Sequence, residues 1–394
     1  MKGLSLLNNK NELNLLFLST YPPRACGIAT FTQDLVGALR KIGGVQTGVV
    51  AVDNGGLSYP PEVRFSLDQN DRSSYLGTAE RINSSGADML MIEHEYGIYG
   101  GRSGEYLLKL TDGLKIPFAV TLHTVLPKPN KKQKEIVVRL AQDCSRLATM
   151  SSSSAKLLVE LYGAKPEKIA VIPHGVPEIP LGDRDALKRE AGLEGRFVVS
   201  TFGLLSPGKG LEYGIGAAAL AAKKHPELVY LILGATHPVI KSKSGEQYRE
   251  KLQKTVEDLG AGQNVRFVNR YLTKEEIIQY LSMSDVYLTP YLGKSQAVSG
   301  TLAYAVGCGK VIVSTPYPYA VEMLADGRGL LAKFHSSRSI SKRILEIADH
   351  PERQAEMERK TLAFGKGMMW SRVAEKYRAL FRETVEKKEG AIHE

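Results

Sequence analysis

Cysteine is scarce in this sequence: Cys26, Cys144 and Cys308 lie far apart, and none stands in a CxxC spacing. That excludes a disulfide framework and gives no thiolate set for a structural zinc. No stretch reaches the roughly 20 uninterrupted apolar residues that a membrane-spanning helix needs. Near the N-terminus the polar residues from Asn8 to Glu12 separate two short apolar runs. A secretion signal requires one continuous apolar segment before its cleavage site, so the expectation is a cytoplasmic protein. Two phosphate fingerprints are missing as well. The first strand is not followed by GxGxxG, which sets aside a nicotinamide-dependent dehydrogenase, and the glycine-lysine loop at 203–210 lacks the Ser or Thr that ends a P-loop. Basic residues are not interleaved with aromatics, so nucleic-acid binding is not expected.

What is present is an ordinary globular composition, 43% hydrophobic and 24% charged over 394 residues, enough for about two or three domains. The charge balance, 52 basic against 42 acidic residues, leaves +10. Its densest basic cluster is Lys128, Lys131, Lys132 and Lys134. Such a cluster is ordinarily a solvated face; it is also a surface that attracts phosphates or anionic lipid.

Short apolar runs alternate with helical patterns along nearly the whole chain. The first half offers Leu13–Tyr21, Val45–Val52, Met89–Glu93, Phe118–His123, Leu147–Ser151 and Ile169–Pro173. The second offers Phe197–Gly203, Leu228–Gly234, Val265–Val268, Val286–Pro290, Val311–Ser314 and Gly329–Ala332. Several are apolar throughout, as parallel strands covered on both faces should be. Between them run helical stripes such as Ile28, Phe31, Leu35 and Leu39. Strand–helix alternation in two sets of six implies two doubly wound α/β domains. The proline-rich stretch from Val176 to Asp183 reads as the linker, dividing the chain into residues 1–178 and 179–371. A final amphipathic helix is expected over 372–388, with Val373, Tyr377, Leu380 and Phe381 on its apolar face.

In an open parallel sheet ligands bind beyond the carboxyl ends of the strands, so the loops there are the places to look for chemistry. After the first strand, Tyr21 to Ala29 leads through Arg24 and Gly27 into a helix whose free N–H groups could face an anion. After the seventh run come Gly203, Ser206, Pro207, Gly208, Lys209 and Gly210, where glycines flank a lysine in front of a helix. A lysine so placed can meet a phosphate while the loop amides cradle it. A third loop, Gln296 to Leu302, ends in Ser299, Gly300 and Thr301 opening another helix. Two phosphate-competent loops in one domain favour a diphosphate ligand over either loop alone. Three histidines, His94, His123 and His174, stand at strand ends. Glu93, His94 and Glu95 resemble metal ligands only superficially, since no second spaced cluster accompanies them, and no metal site is expected.

Taken together, CGIATFTQDL, TLHT, IPHGVP, FGLLSPGKGLEYGI, SDVYLTPY, SGTLAYAVGCGKVIVST and a late Trp370 resemble the retaining nucleotide-sugar glycosyltransferases of family four. The resemblance covers nearly the whole chain. It implies a GT-B architecture, two facing Rossmann-like domains with a C-terminal helix that crosses back onto the first. By position it places Gly27 and Ile28 against the donor, and His123 by the donor sugar at the reaction centre. Lys209, helped by Ser206, Gly208, Ser299, Gly300 and Thr301, would neutralise the departing diphosphate. Arg270, Tyr271 and Leu272 would line the base pocket, and Arg24, His94 and Tyr96 would lie on the acceptor side. The implied donor is a GDP- or UDP-linked hexose, of the mannose or glucose type, moved to a sugar, glycan or lipid-linked acceptor without a metal. A lipid-linked acceptor would bring the basic cluster to the inner face of a membrane.

Three positions differ from the family's usual pattern. Leu204 stands where an arginine is common, while Gln296 and Tyr304 stand where two glutamates are common. Gln296 can still hydrogen-bond a sugar hydroxyl, whereas Tyr304 cannot hold a ribose as a carboxylate would. These differences keep three other readings in view: a phosphorylase using a sugar 1-phosphate, a nucleotide-sugar epimerase and a non-catalytic sugar or nucleotide sensor.

Overall fold

The computed structural model describes residues 12–392. The apolar runs and polar break at the extreme N-terminus, on which the expectation of no secretion signal rests, lie largely outside the described residues. The chain divides into two compact units. One takes the chain up to Gly175 and again from Trp370; the other is continuous from Val176 to Met369.

The first unit holds a seven-stranded sheet. Its strands are β1 (Leu13–Ser19), β2 (Val45–Asp53), β3 (Val63–Asp68), β4 (Met89–His94), β5 (Phe118–Leu122), β6 (Arg146–Thr149) and β7 (Ile169–Val171). Their order is β3-β2-β1-β4-β5-β6-β7, and every pairing is parallel. Six strands fall on the apolar runs expected. The seventh, β3, was not expected, because VRFSLD sits at the sheet edge and alternates half-buried or buried residues with exposed ones. The second unit holds β8 (Phe197–Phe202), β9 (Leu228–Leu233), β10 (Val265–Val268), β11 (Val286–Thr289), β12 (Val311–Ser314) and β13 (Gly329–Leu331). Their order, β10-β9-β8-β11-β12-β13, is again wholly parallel. All six fall on the expected runs. β4 and β9 are buried along their length, which is why β9 and the first four residues of β4 are apolar without alternation.

Each sheet reverses its strand order once, at β1/β4 in the first unit and at β8/β11 in the second. These are the positions where the crossovers pass to opposite faces and leave a crevice at the strand ends. The helix Gly27–Ile42 leaves the first switch point with Phe31, Leu35 and Leu39 buried. The last helix, Trp370–Ile392, packs against it, and the Arg378 guanidinium donates to the carbonyls of Ile42 and Gly43 at 3.3 and 3.2 Å. A cation there satisfies the open C-terminal carbonyls of the earlier helix. Phe381 adds an edge-on contact to Phe17 of β1. The described helices include none long and apolar enough to cross a membrane.

Candidate active site

In the first unit the chemistry collects at the ends of β4 and β5. Glu93 is in register with Thr121, so the two side chains share a face of the sheet, and His123 continues that face one step past β5. His123 Nε2 donates to Glu93 Oε2 at 2.8 Å, with the imidazole 7% and the carboxylate 0% exposed. A carboxylate on Nε2 fixes the ring and sets which nitrogen carries the proton. Thr121 Oγ1 lies 3.5 Å from the other carboxylate oxygen and 3.0 Å from the Tyr377 hydroxyl of the last helix. Phe31 meets His123, His174 and Trp370 edge-on, at 4.8, 5.3 and 5.2 Å between ring centroids. Burial lowers His174 to about 4 despite its hydrogen bond to the Gly175 carbonyl.

The other residues expected here are less closely gathered. His94 is fully buried between Tyr96 and Tyr99, and burial, reinforced by the charge of His123, lowers it to about 3. Its backbone carbonyl accepts from the His123 amide at 3.1 Å, so it supports the pair from within. Arg24 turns to the Val52 carbonyl at the end of β2, at 3.0 Å. Gly27 opens its helix behind a Cys26 cap, with nothing within 4 Å of a Cβ placed on it. Ile28 is half-buried beside it.

In the second unit the loops after β8 and β11 form one structure. The Leu292 amide donates to the Gly208 carbonyl at 3.0 Å. Gly210, at φ +60°, passes so close to the Pro290 carbonyl that a Cβ would sit 2.3 Å from its oxygen. Only glycine meets both demands. Lys209, on the single turn Pro207–Lys209 behind Ser206, donates from Nζ to the Tyr291 hydroxyl at 2.8 Å and lies 4.0 Å from the centre of that ring. The same hydroxyl is 2.7 Å from Thr301 Oγ1, which is 3.2 Å from Ser299 Oγ. Ser299 caps the helix Gly300–Gly307 by accepting from the Leu302 amide at 3.3 Å. A lysine, three hydroxyls and a helix N-terminus therefore converge, which is a constellation suited to an anion. Tyr291 is 1% exposed and stacks on Tyr317. Burial alone would raise its hydroxyl, but the Lys209 ammonium and the Thr301 and Ser299 hydroxyls outweigh it and leave it below the usual tyrosine range.

Gln296 turns back to the Val298 carbonyl at 3.1 Å. Tyr304 packs in the apolar core near Phe202, 8% exposed. Leu272 is also a core residue, whereas Tyr271 is 67% exposed. Arg270 is held by both oxygens of Glu276, which this contact, with help from Thr273, keeps at about 2. The described residues contain no group of three or more His, Cys, Asp or Glu that could hold a metal ion.

Two functional candidates escaped the sequence. Glu93 was visible only as part of Glu93-His94-Glu95; its pairing with His123 depends on strand register. Tyr291 appears only as the last residue of SDVYLTPY, just past β11, and nothing in the sequence places it between two loops.

Comparison with known proteins gives matches to both halves. Residues 183–363 match the family model described as glycosyl transferases group 1, and residues 25–178 match that described as glycosyltransferase family 4. A D-inositol 3-phosphate glycosyltransferase of Kribbella flavida is 26% identical over 306 residues, covering 72% of this chain and 70% of the relative. One of Nocardia farcinica is 24% identical over 291 residues, covering 69% of this chain and 62% of that protein. The match thus spans about two thirds of these relatives' length. Among solved structures, Anabaena HepE in complex with UDP aligns with a TM-score of 0.77 at 18% identity, over 94% of this chain and 100% of that one. A sucrose-phosphate synthase from Thermosynechococcus elongatus aligns at 0.76 and 15% identity, over 94% and 98%. These likenesses establish the two-domain α/β fold of the GT-B type.

Proposed function

Since the chain belongs to the glycosyltransferases of group 1 and family 4, each half matching one of the two models, we propose that it moves a hexose from a nucleoside-diphosphate sugar to a sugar, glycan or lipid-linked acceptor, with retained configuration. The observation that carries this reading is the convergence of Lys209, Thr301 and Ser299 on one spot at the switch point of the second sheet. There the ammonium and the helix N-terminus oppose the charge that develops on a departing diphosphate, without a divalent cation. His123, oriented by Glu93, acts at the sugar end of the donor. Holding donor and acceptor in line supplies the rest of the catalysis.

The donor is GDP- or UDP-linked, and the UDP bound to the Anabaena neighbour puts UDP first in any screen. The curated relatives, named for inositol 3-phosphate, make a phosphorylated acceptor the first one to try. Lys128, Lys131 and Lys134 are exposed and suited to guide such an anion or to touch an anionic membrane from the cytoplasm. Lys132 is less available, being paired with Glu105 and Glu135 at 3.0 Å.

A second reading has an observation of its own. With Tyr304 in the core, no carboxylate stands there for a ribose, which suits a sugar 1-phosphate donor. Melting temperature with UDP, GDP, ADP and inorganic phosphate separates the two. A ligand at a hundred times its Kd stabilises by about 2.7 kcal/mol. A rise with one nucleoside diphosphate, followed by transfer from the matching sugar nucleotide, is expected. A rise with phosphate alone would replace this reading by the phosphorylase.

A further inference from the structure

Lys209 and Thr301 come from different loops, and the atom on which they meet is the phenolic oxygen of Tyr291, 2.8 Å from one and 2.7 Å from the other. The backbone on either side of Tyr291 carries the contacts between those loops, Pro290 against Gly210 and Leu292 to Gly208. The tyrosine itself cannot drift. Its ring stacks on Tyr317 at 5.7 Å, and its carbonyl accepts from Thr315 Oγ1 at 2.6 Å. A flexible lysine on a surface turn would otherwise sample many rotamers, and ordering it costs side-chain entropy. The phenol has already ordered it.

We infer that Tyr291 is a positioning residue of the anion site, holding the Lys209 ammonium and the Thr301 hydroxyl so that both act on one phosphate. This rests on the reading that Lys209 meets the diphosphate. Tyr291 is also a competitor for Lys209. When the phenol ionises it pairs with the ammonium and repels an incoming anion, so anion affinity falls as pH rises. The titratable groups facing it are Lys209 and the buried tyrosines Tyr230, Tyr287 and Tyr317, while Thr301 and Ser299 supply neutral hydroxyls.

The test is calorimetric titration of the full chain with inorganic pyrophosphate at about pH 7, 8.5 and 9.5. Lys209→Ala should weaken binding by roughly thirtyfold and Tyr291→Phe by roughly tenfold, in line with charge-assisted hydrogen bonds. Because Tyr291 works through Lys209 and Thr301, Tyr291→Phe should cost clearly less than about tenfold when Lys209→Ala is already present, and a full tenfold further loss would overturn the coupling. The ratio of wild-type to Tyr291→Phe affinity should fall across the alkaline points, a comparison from which the ionisation of pyrophosphate, common to both titrations, cancels. Wild-type affinity and pH dependence in Tyr291→Phe would overturn the positioning role, and a weak Lys209→Ala would still stand for the anion site. Wild-type affinity in Lys209→Ala would overturn the anion site itself. Should Tyr291→Phe fail to fold, Thr301→Val combined with Lys209→Ala reads the same coupling: non-additive losses are expected, and strictly additive ones overturn the proposal.

Discussion

The two units share the strand order that runs outward from a central first strand, yet they equip their switch points with opposite chemistry. At the first, an acid and an imidazole sit in the sheet itself, on β4 and just past β5, both nearly or wholly buried. At the second, a cation and hydroxyls stand on loops, joined through a tyrosine and a close glycine contact. The topology determines where a site can be; the loops and strand ends decide what it can bind. Groups built into strands are held by many neighbours and tolerate little change, whereas groups on loops can be altered with smaller cost to the fold.

The largest effect that would break this contrast is on stability. Glu93→Ala leaves His123 buried without its partner and should cost about 3 kcal/mol of unfolding free energy, read from urea denaturation. A loss below about 1 kcal/mol would mean that the first site is no more embedded than the second. Next comes His123→Ala, expected to lower kcat about a hundredfold, as removal of a preorganised group commonly does. Affinity for the nucleoside diphosphate, measured by calorimetry, should stay within about twofold. Lost nucleotide affinity would put the imidazole in the nucleotide pocket or the fold.

Lys209→Ala should reduce turnover by about tenfold to a hundredfold with an unchanged melting temperature, the reverse of the Glu93 result. Activity of the wild type should survive EDTA; strict dependence on magnesium or manganese would contradict the lysine's role. Gly210→Ala is a milder probe of the same loops. It forces a side chain into the left-handed region and against the Pro290 carbonyl, which should cost about 1–2 kcal/mol, visible as a lower melting temperature. The smallest effect concerns the surface. Changing Lys128, Lys131, Lys132 and Lys134 to glutamine should abolish low-salt sedimentation with anionic vesicles, each lysine contributing on the order of 1 kcal/mol or less. Equal, negligible sedimentation of both proteins would leave a soluble acceptor.

Much of this was legible in the residues. Among the described residues, twelve of the thirteen strands announce themselves as apolar runs because buried parallel strands have no polar face to show. β3 escaped because an edge strand exposes Arg64, Ser66 and Asp68 and so mimics a loop. Lys209, Ser299 and Thr301 could be read because glycine-rich turns and helix caps are local signals. Glu93 with His123, and Tyr291 with Lys209, could not be. Those contacts join residues 30 and 82 positions apart, through strand register in one case and loop packing in the other.

The first unit is made from two separated pieces of chain, while the second is made from one. On a ribosome the order of completion is therefore inverted relative to the order of synthesis. The second unit has all its residues once Met369 is out. The first must wait, with its sheet already synthesised, for the helix beginning at Trp370. Until then the groove that buries Tyr377 and Phe381 stands open, and β1 and β5 lack their contacts with that helix. Domains generally fold as units as they emerge; here the unit whose sheet is synthesised first is completed after the second, when the helix from Trp370 closes its core.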